Sequence, residues 1–132
     1  MIVDTSAIIA ILRDEPEAGR FSDLLQKDPE PQMSVVSYIE AGIVADGARN
    51  PVISRQVDEI VRVAGITIVG VTPAQGRAVR EAYRDFGRGS GHAARLNFGD
   101  CFSYALAMET GEPLLFKGAD FAETGVVKAG SV

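Results

Sequence analysis

Two rhythms of hydrophobic and polar positions alternate along this chain. Short β-rich runs, Met1-Ile2-Val3, Gln32-Met33-Ser34, Ile66-Thr67-Ile68-Val69 and Pro113-Leu114-Leu115-Phe116, are separated by longer stretches with apolar residues three and four apart. Strands spaced by helical stretches are the mark of βαβ units, in which parallel strands are joined by covering helices. The pattern predicts an α/β fold in three layers, α/β/α, around a parallel sheet of four to five short strands, with Val126-Val127 as the fifth at an edge.

Local signals set the predicted boundaries. Asp4, Thr5 or Ser6 caps a helix through Ala7–Leu12; a second helix starts at Glu15-Pro16-Glu17 and ends near Lys27, with Ala18, Phe21, Leu24 and Leu25 inward. Pro29 and Pro31 break it. A third helix puts Val36, Ile39, Ile43 and Val44 on one face and runs to about Arg49, where Asn50-Pro51 turns the chain. The fourth carries Ile53, Val57, Ile60, Val61 and Ala64 inward, pairs Arg55 with Glu59 outward, and closes at Gly65. Thr72 caps a helix from Pro73 to Phe86; after the glycine-rich loop Gly87–His92, a last helix spans Phe98 to Thr110 and ends at Gly111.

At 132 residues and 46% hydrophobic, the chain suits a single domain over residues 1–132. It has no run of about 18 apolar residues, so the expectation is a cytoplasmic protein with no membrane span. Cys101 is the only cysteine, which excludes an internal disulfide and a cysteine zinc cluster. The net charge of -5 is the wrong sign for bulk attraction to nucleic acid. Its distribution changes that picture: Arg77, Arg80, Arg84, Arg88 and Arg95 stand against only Glu81 and Asp85 within one segment.

Four carboxylates fall at predicted strand-to-helix turns: Asp4, Glu40, Asp100 and Asp120. If the strands are parallel, these turns share the sheet edge at which open α/β folds bind ligands. Two unit charges about 4 Å apart repel by roughly 4 kcal/mol at an effective dielectric of about 20, so such a cluster needs protons or cations. An all-oxygen site suits Mg²⁺ or Mn²⁺, which keep water and accept phosphate oxygens, and the chemistry suggested is metal-assisted phosphodiester hydrolysis. Taken singly, Asp4 and Asp120 are explained as well by helix capping. Glu40 is harder to explain, because it shares a helical face with Val36, Ile43 and Val44, where an unpaired carboxylate is costly. Thr5 and Ser6 are candidates for capping or for orienting the site, Asn97 for fixing its loop by side-chain bonding or for touching substrate, and Gly99 for a close approach or a helix start.

Other chemistries lack their residues. His92 is the only histidine, set in a glycine-rich loop that suggests an exposed ring, so paired-histidine metal sites are excluded. There is no G-x-S-x-G elbow, no P-loop lysine and no dinucleotide-binding glycine run after a strand. A phospho-acceptor receiver domain would use a late lysine such as Lys117 but needs an aspartate ending the middle strand, where Ile66–Gly70 has none. Arg77, Arg80 and Arg84 share a helical face that is either solvated or a track for a phosphate backbone; Tyr38, Tyr83 and Tyr104 form no stacking platform.

Four segments, Met1-Ile2-Val3-Asp4-Thr5-Ser6-Ala7, Ser37-Tyr38-Ile39-Glu40-Ala41, Leu96–Ala105 and Leu114–Phe121, resemble PIN-domain ribonucleases of the VapC toxin type in order and spacing over almost the whole chain. The resemblance implies a PIN-like fold and a Mg²⁺- or Mn²⁺-dependent endoribonuclease toxin cleaving RNA with metal-activated water. It further implies neutralisation by a VapB-type antitoxin and assembly as a homodimer. Carried over by motif, Asp4, Glu40, Asp100 and Asp120 are the catalytic and metal-site acids, with Asp120 the fourth. Many relatives carry another aspartate after the Asp-Phe-x-x-Thr stretch, where this chain has Gly125. The alternative of another class is a non-catalytic PIN-like domain that binds RNA or protein.

Overall fold

In the computed structural model, which describes residues 1–131, the elements run β1 (Ile2–Val3), α1 (Thr5–Leu12), α2 (Ala18–Lys27), β2 (Gln32–Ser34), α3 (Val35–Asp46), α4 (Pro51–Ala64), β3 (Thr67–Val69), α5 (Pro73–Phe86), α6 (Phe98–Thr110) and β4 (Leu114–Leu115). The sheet has strand order β3-β2-β1-β4, and each neighbouring pair is parallel. In place of a full fifth strand, Leu114 makes one bridge to Lys128, its N–H donating to the Val127 carbonyl and its own carbonyl accepting from Ala129.

Side chains alternate across a strand, and two residues of β1 are enough to divide the core. Val3 joins Ile8, Phe21, Leu25, Met33, Val57 and Leu115 on the α1–α4 side. Ile2 joins Val79, Leu96, Cys101, Leu106, Leu114 and Phe116 on the α5–α6 side. Both faces of the sheet are covered, which gives the α/β/α layering and explains why β1 and β4 are apolar without alternation.

Three local expectations are corrected. Helix α2 starts at Ala18 rather than at Glu15, because α1 ends in a Schellman turn: Asp14 takes a left-handed φ of 49°, its N–H reaches Ile11 O, and the Glu15 N–H reaches Ala10 O. Helix α3 ends at Asp46, short of Arg49, and buries Ser37, Ala41 and Ala45 instead of its large residues. Those small side chains let its backbone approach its neighbours closely, while Ile39, Ile43 and Val44 stay 51%, 65% and 37% exposed. On α4, Glu59 pairs with Arg62 one turn later, at 2.5 Å, rather than with Arg55.

His92 is half-buried rather than exposed. Its ring lies edge-on to Phe86 with centroids 4.8 Å apart, and Nδ1 accepts the Ala94 N–H at 3.0 Å. Lys117 pairs with Glu15 and Glu17, tying the end of β4 to the α1–α2 turn. Among the described residues, no helix is long and apolar enough to cross a membrane.

Candidate active site

Strand β1 ends at Asp4, the N-cap of α1, which is 3% exposed. Both carboxylate oxygens are fixed. Oδ2 accepts from the Ser6 N–H at 3.0 Å and the Ser6 hydroxyl at 2.7 Å, and Oδ1 accepts from the Ser103 hydroxyl on α6 at 2.6 Å. Ser103 in turn meets the Ser37 hydroxyl at 3.0 Å, linking β1, α3 and α6 through one buried chain. Ser6 Oγ also accepts the Lys117 N–H at 3.0 Å, which attaches the end of β4 to the same corner.

Asp100 is the third residue of α6. Its backbone N–H donates to Asn97 Oδ1 at 2.8 Å while its own Oδ2 accepts the Asn97 N–H at 3.0 Å, a reciprocal capping box that fixes the first turn. Asn97 therefore acts as the cap, and one oxygen of Asp100 is committed to the fold. The side chain is 9% exposed. Burial pushes its carboxyl up to about 7; the Asn97 N–H opposes this, and the charges of Asp4, Asp120 and Glu40 add to it. Asp4, Asp120 and Glu40 are thus near enough to Asp100 for their charges to act on its carboxyl.

Glu40 does not stand at a strand-to-helix turn but six residues into α3, on a half-open face rather than a buried one. It reaches the site because residue 99 is glycine: a Cβ there would lie 2.5 and 2.6 Å from the two Glu40 oxygens. Gly99 is thus the seat of the Glu40 carboxylate. Asp120 follows β4 in an exposed turn with no helix after it, so it caps nothing.

The polar support was only partly visible in the sequence. Ser103 and Ser37 were missed as individual residues, although each sits one helical turn from an acid, Asp100-x-x-Ser103 and Ser37-x-x-Glu40. Thr5 turns away from this set and donates to Ser37 O at 2.8 Å. Cys101, next to Asp100, is fully buried, and burial pushes its thiol up to about 11, so it is no nucleophile.

Among the described residues, no lysine or arginine forms a salt bridge with Asp4, Glu40, Asp100 or Asp120. Nor is any group of three or more Asp, Glu, His or Cys side chains arranged to hold a metal ion as it stands. Four interacting acids without a protein cation fit a divalent ion, which would draw the carboxylates inward against their mutual repulsion.

Comparisons with known proteins place the fold and sequence in a family. The PIN domain family model matches residues 1–127. Ribonuclease VapC28 of Mycobacterium tuberculosis is 57% identical over 129 residues, covering 98% of this chain and 97% of that protein. Ribonuclease VapC42 of the same organism is 48% identical over 126 residues, 96% of each. Among solved structures, the fold is similar to M. tuberculosis VapC20, a sarcin-ricin loop cleaving toxin, with a TM-score of 0.77 at 19% identity over 96% of each chain. It is also similar to a chain of a toxin-antitoxin complex from Klebsiella pneumoniae, with a TM-score of 0.71 at 16% identity over 99% of this chain and 98% of that one. This chain belongs to the PIN-domain family, among the VapC ribonucleases.

Proposed function

We propose that this chain is a divalent-cation-dependent endoribonuclease toxin of the VapC type, acting in the cytoplasm and restrained by a VapB-type antitoxin. What supports this reading is that the charges of Asp4, Asp120 and Glu40 all act on the buried Asp100, whose carboxyl is pushed up to about 7, with no salt-bridging protein cation among the described residues. Near-full-length relatives named as ribonucleases supply the substrate class.

Asp4, Glu40, Asp100 and Asp120 would hold Mg²⁺ or Mn²⁺. Such an ion supplies Lewis acidity, offsetting negative charge on a phosphate and lowering the pKa of water. The chain's own residues prepare the place. Ser6 and Ser103 fix Asp4 in one orientation; Asn97 fixes Asp100; Gly99 gives Glu40 its seat. A bound cation would favour the ionised form of Asp100, whose carboxyl burial holds up at about 7.

The other faces of the molecule suit the proposed partners. A groove of about 550 Å³ lined by Ile11, Leu25, Ile60 and Val63 fits the apolar side of an antitoxin segment. The exposed Ile39, Ile43 and Val44 on α3 suit a second copy in a homodimer.

The test is incubation of the purified protein with single-stranded RNA in Mg²⁺, in Mn²⁺ and in EDTA, beside Asp4→Asn and Asp100→Asn. Cleavage by wild type with metal alone is expected. Equal cleavage by all three proteins would reject Asp4 and Asp100 as the acids that act, and no cleavage by any while RNA is still bound would replace the nuclease reading with a binding domain.

A further inference from the structure

The segment between α5 and α6 carries features that the acidic site does not use. It is held by a two-residue parallel bridge: Arg88 N–H donates to Leu96 O at 3.0 Å, and Leu96 N–H to Phe86 O at 2.8 Å. Gly87 makes this possible, since a Cβ there would collide with the Tyr83 backbone. The bridge pairs Gly87 with Leu96, one residue before the Asn97 cap, and ties the Arg88 backbone to Leu96. Arg95 precedes Leu96 in a left-handed conformation, φ 53°, between the buried Ala94 and Leu96. Both arginines are exposed, and among the described residues neither has a carboxylate within salt-bridge distance. Arg84, the nearest arginine before this loop, is instead paired with Asp85. Two unneutralised guanidinium groups on one fixed loop, in the segment that leads into the first turn of α6, suit an anionic ligand.

Phe98 completes the picture. It is the first residue of α6 and 67% exposed, yet its ring is steadied edge-on against Phe102 with centroids 5.0 Å apart. The next residue is Gly99, on which the Glu40 carboxylate rests. A first-turn side chain leans toward the helix N-terminus, the end at which Asp100 stands. A steadied aromatic face beside the acids, with cations a few residues away, is the combination that holds single-stranded nucleic acid, stacking for a base and positive charge for the backbone.

We propose that Phe98, Arg88 and Arg95 form the rim that grips the single-stranded RNA substrate, Phe98 stacking on a base next to the cleaved bond and the two arginines contacting flanking phosphates. This deepens the ribonuclease reading and rests on it. The three are binding and positioning residues.

The experiment separates the two ideas by measuring binding apart from cleavage. A fluorescein-labelled single-stranded RNA of about ten nucleotides is titrated with full-length protein, with EDTA present to suppress turnover, at several salt concentrations. Phe98→Ala is expected to weaken binding about 5-fold to 150-fold with the salt dependence unchanged, and Phe98→Trp to restore it. Arg88→Ala and Arg95→Ala are each expected to lower the slope of log K against log salt by about 0.7. Circular dichroism and sedimentation of each variant check fold and assembly. Unchanged affinity in Phe98→Ala together with unchanged salt slopes in the arginine variants overturns the rim. So does a loss in Phe98→Ala that follows dissociation of a dimer, which would assign Phe98 to a protein interface. Rim-dependent binding by a wild type that cleaves nothing in Mn²⁺ would retain the rim and reject the nuclease.

Discussion

The acidic end of the sheet has two unlike halves. Asp4 and Asp100 are buried, and each is held by hydrogen bonds from its own turn, with Ser103 reaching Asp4 from another helix. Glu40 and Asp120 are more open, and the hydrogen bonds found elsewhere in the site do not extend to their carboxylates. Glu40 keeps its place by shape, in the space that Gly99 leaves, and Asp120 by its position after β4. The difference teaches that one pair is held by hydrogen bonds built into the fold, whereas the other pair keeps its carboxylate oxygens free of protein hydrogen bonds among the described residues.

If that division holds, neutralising the hydrogen-bonded pair has the largest effect. Asp4→Asn and Asp100→Asn are each expected to lower the rate of RNA cleavage by about 10³-fold or more, the scale of several kcal/mol of lost charge stabilisation, with the fold retained by circular dichroism. Gly99→Ala comes next. Its methyl group displaces the Glu40 carboxylate, and a shift near 1 Å in such a site costs up to about 10²-fold in rate. Comparable losses in Glu40→Gln and in the double variant would show that Gly99 acts through Glu40. Ser103→Ala removes the Asp4 Oδ1 partner and is expected to cost about 10-fold to 100-fold in metal affinity or rate. Asp120→Asn is expected to have the smallest effect of the substitutions in the acid set, read as a raised Mn²⁺ requirement at unchanged maximal rate.

Acidity sharpens the comparison without changing a residue. Asp100 titrates near 7 in the folded chain against 3.8 as the ordinary value, so the folded state holds a proton that the unfolded chain releases. This favours folding fully below about pH 4 and is lost as pH rises through about 7. In EDTA the thermal midpoint is therefore expected to fall between about pH 5.5 and pH 8, and less so in Asp100→Asn. Added Mn²⁺ is expected to raise the midpoint more at the higher pH, where the carboxylate is already ionised.

What could be read from the sequence follows the same division. The parallel α/β/α frame and the helix cap at Thr72 rest on local signals, and the structure reproduces them; of the two roles open for Asn97, the structure shows the local one, as the cap of α6. Helix α3 was misread because bulky apolar residues were assigned inward; its neighbours are so close that only Ser37, Ala41 and Ala45 fit there. Glu40 was identified for the wrong reason, as a buried charge, when its position depends on a glycine 59 residues away in sequence. The bond from Ser103 to Asp4 spans 99 residues, and serine carries no hydrophobic rhythm that could announce it. Contacts of that range arise from tertiary packing, which no local pattern encodes.

The central claim is that these acids together take up a divalent cation, and calorimetric titration of Mn²⁺ into the protein near pH 7, in two buffers of different ionisation enthalpy, tests it most directly. Saturable binding with proton release is expected for wild type, with binding lost in Asp4→Asn and both binding and proton release lost in Asp100→Asn. Binding of equal strength in all three proteins, or no binding to wild type, would contradict the claim.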